Sequence, residues 1–305
     1  MELAALAGQL RPELHLYCAR LMGSVIDGED VVQDVMVRAL AAIETLDEAA
    51  ALRPWLFRIA HNRALDLLRS RAVHKAETIE AAAEVPDIAT LDPQEVLMRQ
   101  EAVNTAVSRF TELPVPQRSV LILKDVLGET LIDIAALLDL SVDAVKGHLA
   151  RGRARLREIN AQASRVPAAL PASAAVLRYV ALFNQRDWLG LRALLADDVK
   201  LVQSTHPVRA GSADVGMFFT TYAKMPEVRI APAWLEGREV MLVFEGAAET
   251  APAYMMWLEW KDGRISLIRD YRYVRYVMDS ADPLTAGGPP ALPANASGPG
   301  ASGPE

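Results

Sequence analysis

The sequence predicts a multidomain chain in which two all-α domains precede an α+β domain. Three observations predict it. Apolar residues recur at helical spacing over Leu3 to Val73 and again over Glu95 to Ser164. Beyond Pro167 and Pro171 the pattern changes to short strand-like runs separated by turn residues. With 305 residues the chain is long enough for two or three domains, each with its own core.

The bulk numbers exclude several classes. A net charge of −7 argues against a generic nucleic-acid coat, but the charge is unevenly spread. Cys18 is the single cysteine, so no disulfide can form within the chain, as expected of a reducing, cytoplasmic location. Lying in an apolar run, Cys18 reads as a small buried residue. No run reaches ~18 uncharged apolar residues, so no membrane span is expected. The first residues lack a basic segment followed by an apolar run, so no secretory signal is expected.

In chain order, the first helical domain is expected over residues 1–75, broken near Gly23–Gly28 and near Asp47. "IDGEDVVQDVMVRALAAI" starts at a helix-start signal and has apolar residues at Val31, Val35, Leu40 and Ile43, with further small or apolar positions between. In "RPWLFRIAHNRALDLLRSR" the inward stripe is Leu56, Ile59, Ala60, Ala64, Leu67 and Leu68. Between Arg53 and Lys75 six cations face one acid, Asp66. The charge then reverses, and residues 76–94 read as an acidic linker containing Pro86 and Pro93. A second helical domain is expected over 95–165. Within it Leu131, Ile134, Ala135 and Leu138 form a short stripe, with Thr130 and Asp133 as a capping pair. "LDL" turns the chain, Ser141 caps the next helix, and Val145, Leu149 and Leu156 point inward. Two short helices, the second longer and basic, describe a helix-turn-helix whose second helix could enter a major groove. An αα-hairpin with a solvated basic face is the plainer alternative.

Residues 172–279 read as the α+β domain. Helices are expected at "AAVLRYVALFNQ", "DWLGLRALLA" and "SADVGMFFTTYAKM", and strands at "VKLVQ", "VRIAPAWL", "REVMLVFE", "AYMMWLEW" and "RISLIRDYRYV". "KDG" joins the last two as a hairpin. "RDYRYVRYV" also reads as an interface strand, with tyrosines beside arginines. Residues 280–305, rich in Pro, Gly, Ala and Ser, are expected to be disordered.

Three segments in order, "LMGSVIDGEDVVQDVMVRAL", "RPWLFRIAHNRALDLLRSR" and "DVLGETLIDIAALLDLSVDAVKGHLARGRARL", resemble the signature segments of extracytoplasmic-function sigma factors of bacterial RNA polymerase. The resemblance covers Leu3 to Ile159, about half the chain. It implies a core-polymerase contact at Asp30, Val31, Gln33, Asp34 and Arg38. It implies minus-ten DNA contacts at Asn62, Arg63, Asp66, Arg69 and Arg71. Trp55 and Phe57 are candidates to stack on bases, with core packing favoured for Trp55. It implies minus-thirty-five contacts at Ser141, Asp143, Lys146, Gly147, His148, Arg151, Arg153 and Arg155, the last three on phosphate. Two departures stand out. Asp139 replaces the usual turn glycine, and His148 stands where arginine is common. The linker carboxylates resemble a segment threading towards a basic channel, with a solvated tether as the alternative.

"RYVALFNQRDWLGLRALLADDVKL" resembles the SnoaL-like group of the cone fold, which implies a curved sheet around a pocket. Asp270, Tyr222, Tyr271 and His206 are the candidates there for a general base. Each is expected to be structural or exposed, with Asp270 pairing Arg272 or Arg275. No metal-ligand cluster and no cofactor are expected. The resulting expectation is a cytoplasmic sigma factor that catalyses nothing. Its partners are core RNA polymerase, promoter DNA and an anti-sigma protein or small ligand at the C-terminal domain, with no membrane contact. The alternatives are a ligand-sensing helix-turn-helix regulator and a sigma–enzyme fusion.

Overall fold

The computed structural model describes residues 2–42, 51–82, 107–161, 171–246 and 248–285. They fall into two compact units, Met1–Pro167 and Ala168–Glu305. No helix among the described residues is long and apolar enough to cross a membrane.

The first unit is helical. It contains α1 (Glu2–Gln9), α2 (Arg11–Met22), α3 (Val25–Ala42), α4 (Leu52–Ala82), a 3-10 turn (Ser108–Glu112), α5 (Val115–Leu121), α6 (Leu131–Leu138) and α7 (Val142–Ala161). Gly23 ends α2 with φ 76°, a left-handed conformation cheap only for glycine. α2 and α3 then pack so closely that a Cβ on Gly28 would lie 2.6 Å from the Ala19 backbone. α4 buries Leu56, Ala60 and Ala64, as the sequence stripe predicts, and Phe57 as well. Phe57 is 1% exposed, so in this conformation it cannot stack on bases, while Trp55 packs partly buried against the core. Leu40, one of the apolar positions of α3, is 56% exposed, because the helical turn that buries Val35 and Ala39 carries Leu40 outward. α4 also continues to Ala82, seven residues into the stretch read as linker; residues 83–94 lie outside the described residues.

The α5–α7 segment shares one hydrophobic core with α2–α4: Val120, Ile122, Leu123 and Ile134 belong to the same cluster as Leu14, Tyr17, Leu21 and Leu56. Arg118 ties the two groups together. Its buried guanidinium donates to the carbonyls of Leu21 (2.6 Å), Thr111 (2.8 Å) and Leu113 (2.9 Å). A second buried anchor joins Arg11 of α2 to Glu29 of α3 at 2.6 Å. Cys18 is buried, as expected, and burial pushes its thiol up.

The second unit has α8 (Ala174–Asn184), α9 (Trp188–Ala193), β1 (Leu195–Gln203), β2 (Arg209–Ala210), α10 (Ser212–Gly216), α11 (Phe218–Ala223), β3 (Val228–Leu235), β4 (Arg238–Glu245), β5 (Tyr254–Lys261) and β6 (Arg264–Asp270). The six strands form one sheet in the order β2-β1-β6-β5-β4-β3, with β1 and β6 parallel and the other pairs antiparallel. Tyr179 and Phe183 of α8 and Phe218, Phe219 and Tyr222 near α11 share a core with Met241, Val243, Tyr254 and Met256 of the sheet.

The β5–β6 turn places Asp262 (φ 52°) and Gly263 (φ 75°) left-handed, the two-residue hairpin geometry expected of Asp-Gly. The expected helix over 212–225 is split in two at Met217. The expected strand through "RDYRYVRYV" ends at Asp270. The chain then turns through Val274 N–H to Tyr271 C=O and forms a 3-10 helix, Arg275–Ser280, so the interface-strand reading is corrected. Leu284, read as disordered tail, exchanges two backbone hydrogen bonds with Trp234 (2.8 and 2.9 Å).

Candidate functional sites

In α3, Asp30, Gln33 and Asp34 are half-buried and Arg38 is exposed, whereas Val31 is fully buried and supports the helix from inside. Val37 (66% exposed) and Leu40 stand on the outside of the same helix. Sequence reading missed both, because a helical apolar pattern alone does not say which apolar residues exceed what the core can cover.

On α4, Asn62, Asp66, Arg69 and Arg71 are exposed and Arg63 is half-buried. Arg63 pairs with Asp34, donating from Nε (2.8 Å) and Nη2 (2.6 Å). Arg71 donates to Asp27 at 2.7 Å, and Arg69 reaches Asp66 at 3.4 Å. The face assigned to DNA is therefore bonded to the helix assigned to the polymerase. His61 lies behind it, its Nδ1 sharing a 2.8 Å hydrogen bond with the Tyr17 hydroxyl; burial lowers its pKa to about 4.

α6 and α7 form the expected helix-turn-helix. Thr130 accepts from the Asp133 N–H at 3.1 Å and donates to the Asp133 carboxylate at 2.5 Å. Ser141 accepts from the Ala144 N–H at 3.1 Å. Asp139 takes the left-handed position after α6 at φ 56°, doing there what a glycine would do at less strain. Ser141, Asp143, Lys146, Arg151, Arg153 and Arg155 are exposed, and Gly147 and His148 are partly covered. Arg153 grips Asp125 bidentately (2.9 and 2.5 Å), Arg155 pairs with Glu158 and Lys146 with Asp143. Such exposed pairs are worth only ~0–1 kcal/mol each, so a phosphate can replace the carboxylate at small cost.

In the second unit, strand register brings one set of residues to one end of the sheet. Gln203 and Asp270 end adjacent strands, Tyr254 opens β5, and Val228 faces Glu245. Asp270, 2% exposed, accepts from Gln203 Nε2 (2.7 Å) and from the Arg272 backbone N–H (3.2 Å). The expected ion pair with the Arg272 or Arg275 side chain does not form: Arg275 pairs with Glu245 (2.8 Å). Burial raises Asp270 to about 6. The hydroxyls of Tyr222 and Tyr254 bond each other at 3.0 Å, and burial raises both phenols. The buried Tyr179 hydroxyl has no partner among the described residues. His206 is exposed and stacks on Tyr273 at 4.0 Å, while Tyr271 is buried. Of the four candidate bases, the structure thus brings Asp270 and Tyr222 into one buried cluster, with Tyr254 and Tyr179 as members the sequence did not single out. No group of three or more potential metal ligands occurs among the described residues.

Three family models match the chain: Sigma-70 region 2 over residues 6–73, Sigma-70 region 4 over 107–156 and SnoaL-like domain over 176–268. The ECF RNA polymerase sigma factor SigG of Mycobacterium tuberculosis is 31% identical over 201 residues, 58% of this chain. The chain spans only 54% of the length of that relative. RNA polymerase sigma factor CnrH of Cupriavidus metallidurans is 36% identical over 137 residues, 43% of this chain and 71% of the relative. Among solved structures, a Kribbella flavida protein provisionally assigned as a ketosteroid isomerase is 26% identical, covering 32% of this chain and 74% of that one with a TM-score of 0.27. A Xanthomonas campestris protein provisionally assigned as a polyketide cyclase is 20% identical, covering 34% and 93% with a TM-score of 0.26. The expectation that the chain catalyses nothing is withdrawn for the SnoaL-like domain, whose sheet end holds a buried carboxyl and buried, hydrogen-bonded phenols. Asp270 is also not the charge-paired or exposed carboxylate on which that expectation rested.

Proposed function

The chain belongs to the extracytoplasmic-function sigma factors of bacterial RNA polymerase, with a SnoaL-like domain following the sigma segments, and from that premise we propose that it binds core polymerase, directs it to a class of promoters and helps open them. The observation that carries the reading is the pair of separate basic faces, on α4 and α7, each still open to solvent. In this reading residues 1–75 hold the polymerase and minus-ten contacts, 76–94 tether, 95–165 read the minus-thirty-five element, and 172–279 form the cone domain.

Asp30, Gln33, Asp34 and Arg38 present mixed charge to the polymerase, with Val37 and Leu40 supplying apolar area beside them and Val31 holding the helix from within. Asn62 and Asp66 offer edge-reading groups to bases of an opened strand, and Arg63, Arg69 and Arg71 neutralise its phosphates. Ser141, Asp143, Lys146, Gly147 and His148 begin the groove-reading helix, and Arg151, Arg153 and Arg155 hold its phosphates. The cone domain regulates in cis, in answer to a small ligand or an anti-sigma protein. A gel shift tests the assignment. Promoter DNA should shift with this chain plus core polymerase and not with the chain alone. Tight duplex binding by the chain alone would make it a conventional repressor.

A second reading of the cone domain rests on Asp270. A buried carboxyl beside three phenols can take a proton from a small ligand while a phenol O–H stabilises the developing oxyanion. Loss of turnover in Asp270→Asn, with folding intact, is the expected outcome for any substrate found.

A further inference from the structure

The cone-domain readings leave open what kind of molecule enters. A cavity of about 380 Å³ opens at the end of the sheet where Asp270 lies, lined by Met225, Pro226, Glu227, Val228, Glu245 and Gly246. Its size falls within the ~300–1,000 Å³ of small-molecule sites. Two arginines that are not themselves among those six residues donate to the 225–228 wall. Arg186 donates through Nη2 to the carbonyls of Pro226 and of Val228 (2.6 Å), and its buried Nη1 has no partner among the described residues. Arg272 donates through Nη2 to the Met225 thioether at 3.2 Å and lies 5.7 Å over the Tyr222 ring. Arg272 makes no ion pair among the described residues, and a thioether is a weak acceptor for a guanidinium.

The acids nearby do not fill that role. Glu245 is engaged by Arg275, Glu227 is exposed, and Asp270 takes its hydrogen bonds from Gln203 and from the Arg272 backbone rather than its side chain. We propose that this cavity binds a small amphipathic organic acid. Its carboxylate replaces the Met225 thioether on Arg272, and its apolar body lies along Met225, Pro226 and Val228. A planar guanidinium held against an aromatic ring is a suitable fork for a carboxylate. The inference deepens the readings of the cone domain by naming the ligand class. It is tested by binding alone, so it stands or falls separately from promoter binding and from turnover.

The test is calorimetric titration of the full chain with phenylacetate and indole-3-acetate, each against its neutral amide. The acids should bind saturably with Kd near or below ~1 mM, and the amides at least ~10-fold more weakly. Arg272→Gln should weaken acid binding by about the same factor, while Lys261→Gln, at the far end of β5, should not change it. Absence of saturable binding by either acid up to ~10 mM, or equal binding of acid and amide, overturns the proposal. So does unchanged acid binding in a folded Arg272→Gln chain. Should that variant fail to fold, the acid–amide comparison on the unaltered chain decides.

Discussion

Five arginines of the helical unit meet carboxylates on other segments; two arginines at the open end of the sheet meet none among the described residues. Arg11, Arg53, Arg63, Arg71 and Arg153 each reach a carboxylate on a different segment, fastening helix to helix. Arg186 and Arg272 instead meet carbonyls, a thioether and aromatic rings. The first arrangement spends charge on positioning. The second leaves two guanidiniums on neutral acceptors near a cavity, where on the proposal above a ligand supplies the anion. The same contrast appears among the buried acids: Glu29 has its guanidinium, while Asp270 has neutral donors.

The sharpest way to break the comparison is to remove one side of the buried pair. Glu29→Ala should destabilise the helical unit by about 3–5 kcal/mol in chemical denaturation, because it withdraws the carboxylate from a buried guanidinium. Replacing both partners with apolar residues, Arg11→Met with Glu29→Leu, should cost much less. A double replacement as damaging as the single one would show that the pair contributes more than mutual neutralisation.

The second test uses pH, because the two units should respond in opposite directions. Asp270 has a folded pKa of about 6, above its unfolded value. Its contribution therefore favours the fold below the unfolded pKa and is lost as pH rises from about 4 to 6. A shift of this size amounts to ~2–3 kcal/mol. Asp270→Asn should flatten that slope in thermal unfolding of the second unit. His61 has a folded pKa of about 4, below its unfolded value, so its contribution is present above the unfolded pKa and lost as pH falls from about 6.5 to 4. Acidification should thus weaken the helical unit through His61 while relieving the cone domain through Asp270. Parallel slopes in the two transitions would contradict the two burial assignments.

A smaller effect is expected at the helix caps. Ser141→Ala removes one acceptor at the start of α7 and should cost about 1 kcal/mol by the same denaturation assay. The smallest stability change is expected at Asp34. Asp34→Asn breaks a half-exposed pair with Arg63 and should shift stability by less than ~1 kcal/mol, yet weaken association with core polymerase measured by fluorescence anisotropy.

What could be read from the sequence was what is local. Thr130, Ser141 and the Asp262-Gly263 turn were legible because the partner of each lies within three residues. The equivalent turn at Glu236-Gly237, with φ 53° and 74°, was not picked out, because glutamate is an unusual left-handed residue. Arg118 and Glu29 gave no signal, since the bond from Arg118 to Leu21 spans 97 residues and that from Arg11 to Glu29 spans 18. The minus-ten and polymerase residues were named from resemblance. Their mutual bonding, Asp34 to Arg63, depends on the packing of α3 against α4 across 29 residues of chain. Asp270 stood out in sequence, but its environment depends on Gln203, 67 residues earlier, and the natural guess of an arginine partner failed. Leu40 counts among the apolar positions of its helix, and only the packed helix shows that Val35 and Ala39 are buried while Leu40 is not.

The central claim is that this chain initiates transcription with core polymerase and that its cone domain modulates the result. Run-off transcription tests it directly, comparing the full chain with versions ending at Pro283 and near Arg165 on templates selected with the holoenzyme. The account predicts initiation by the full chain, and a changed level when the residues after Arg165 are removed. Absence of initiation from every version would contradict the sigma assignment, and equal initiation from all three would contradict regulation by the cone domain.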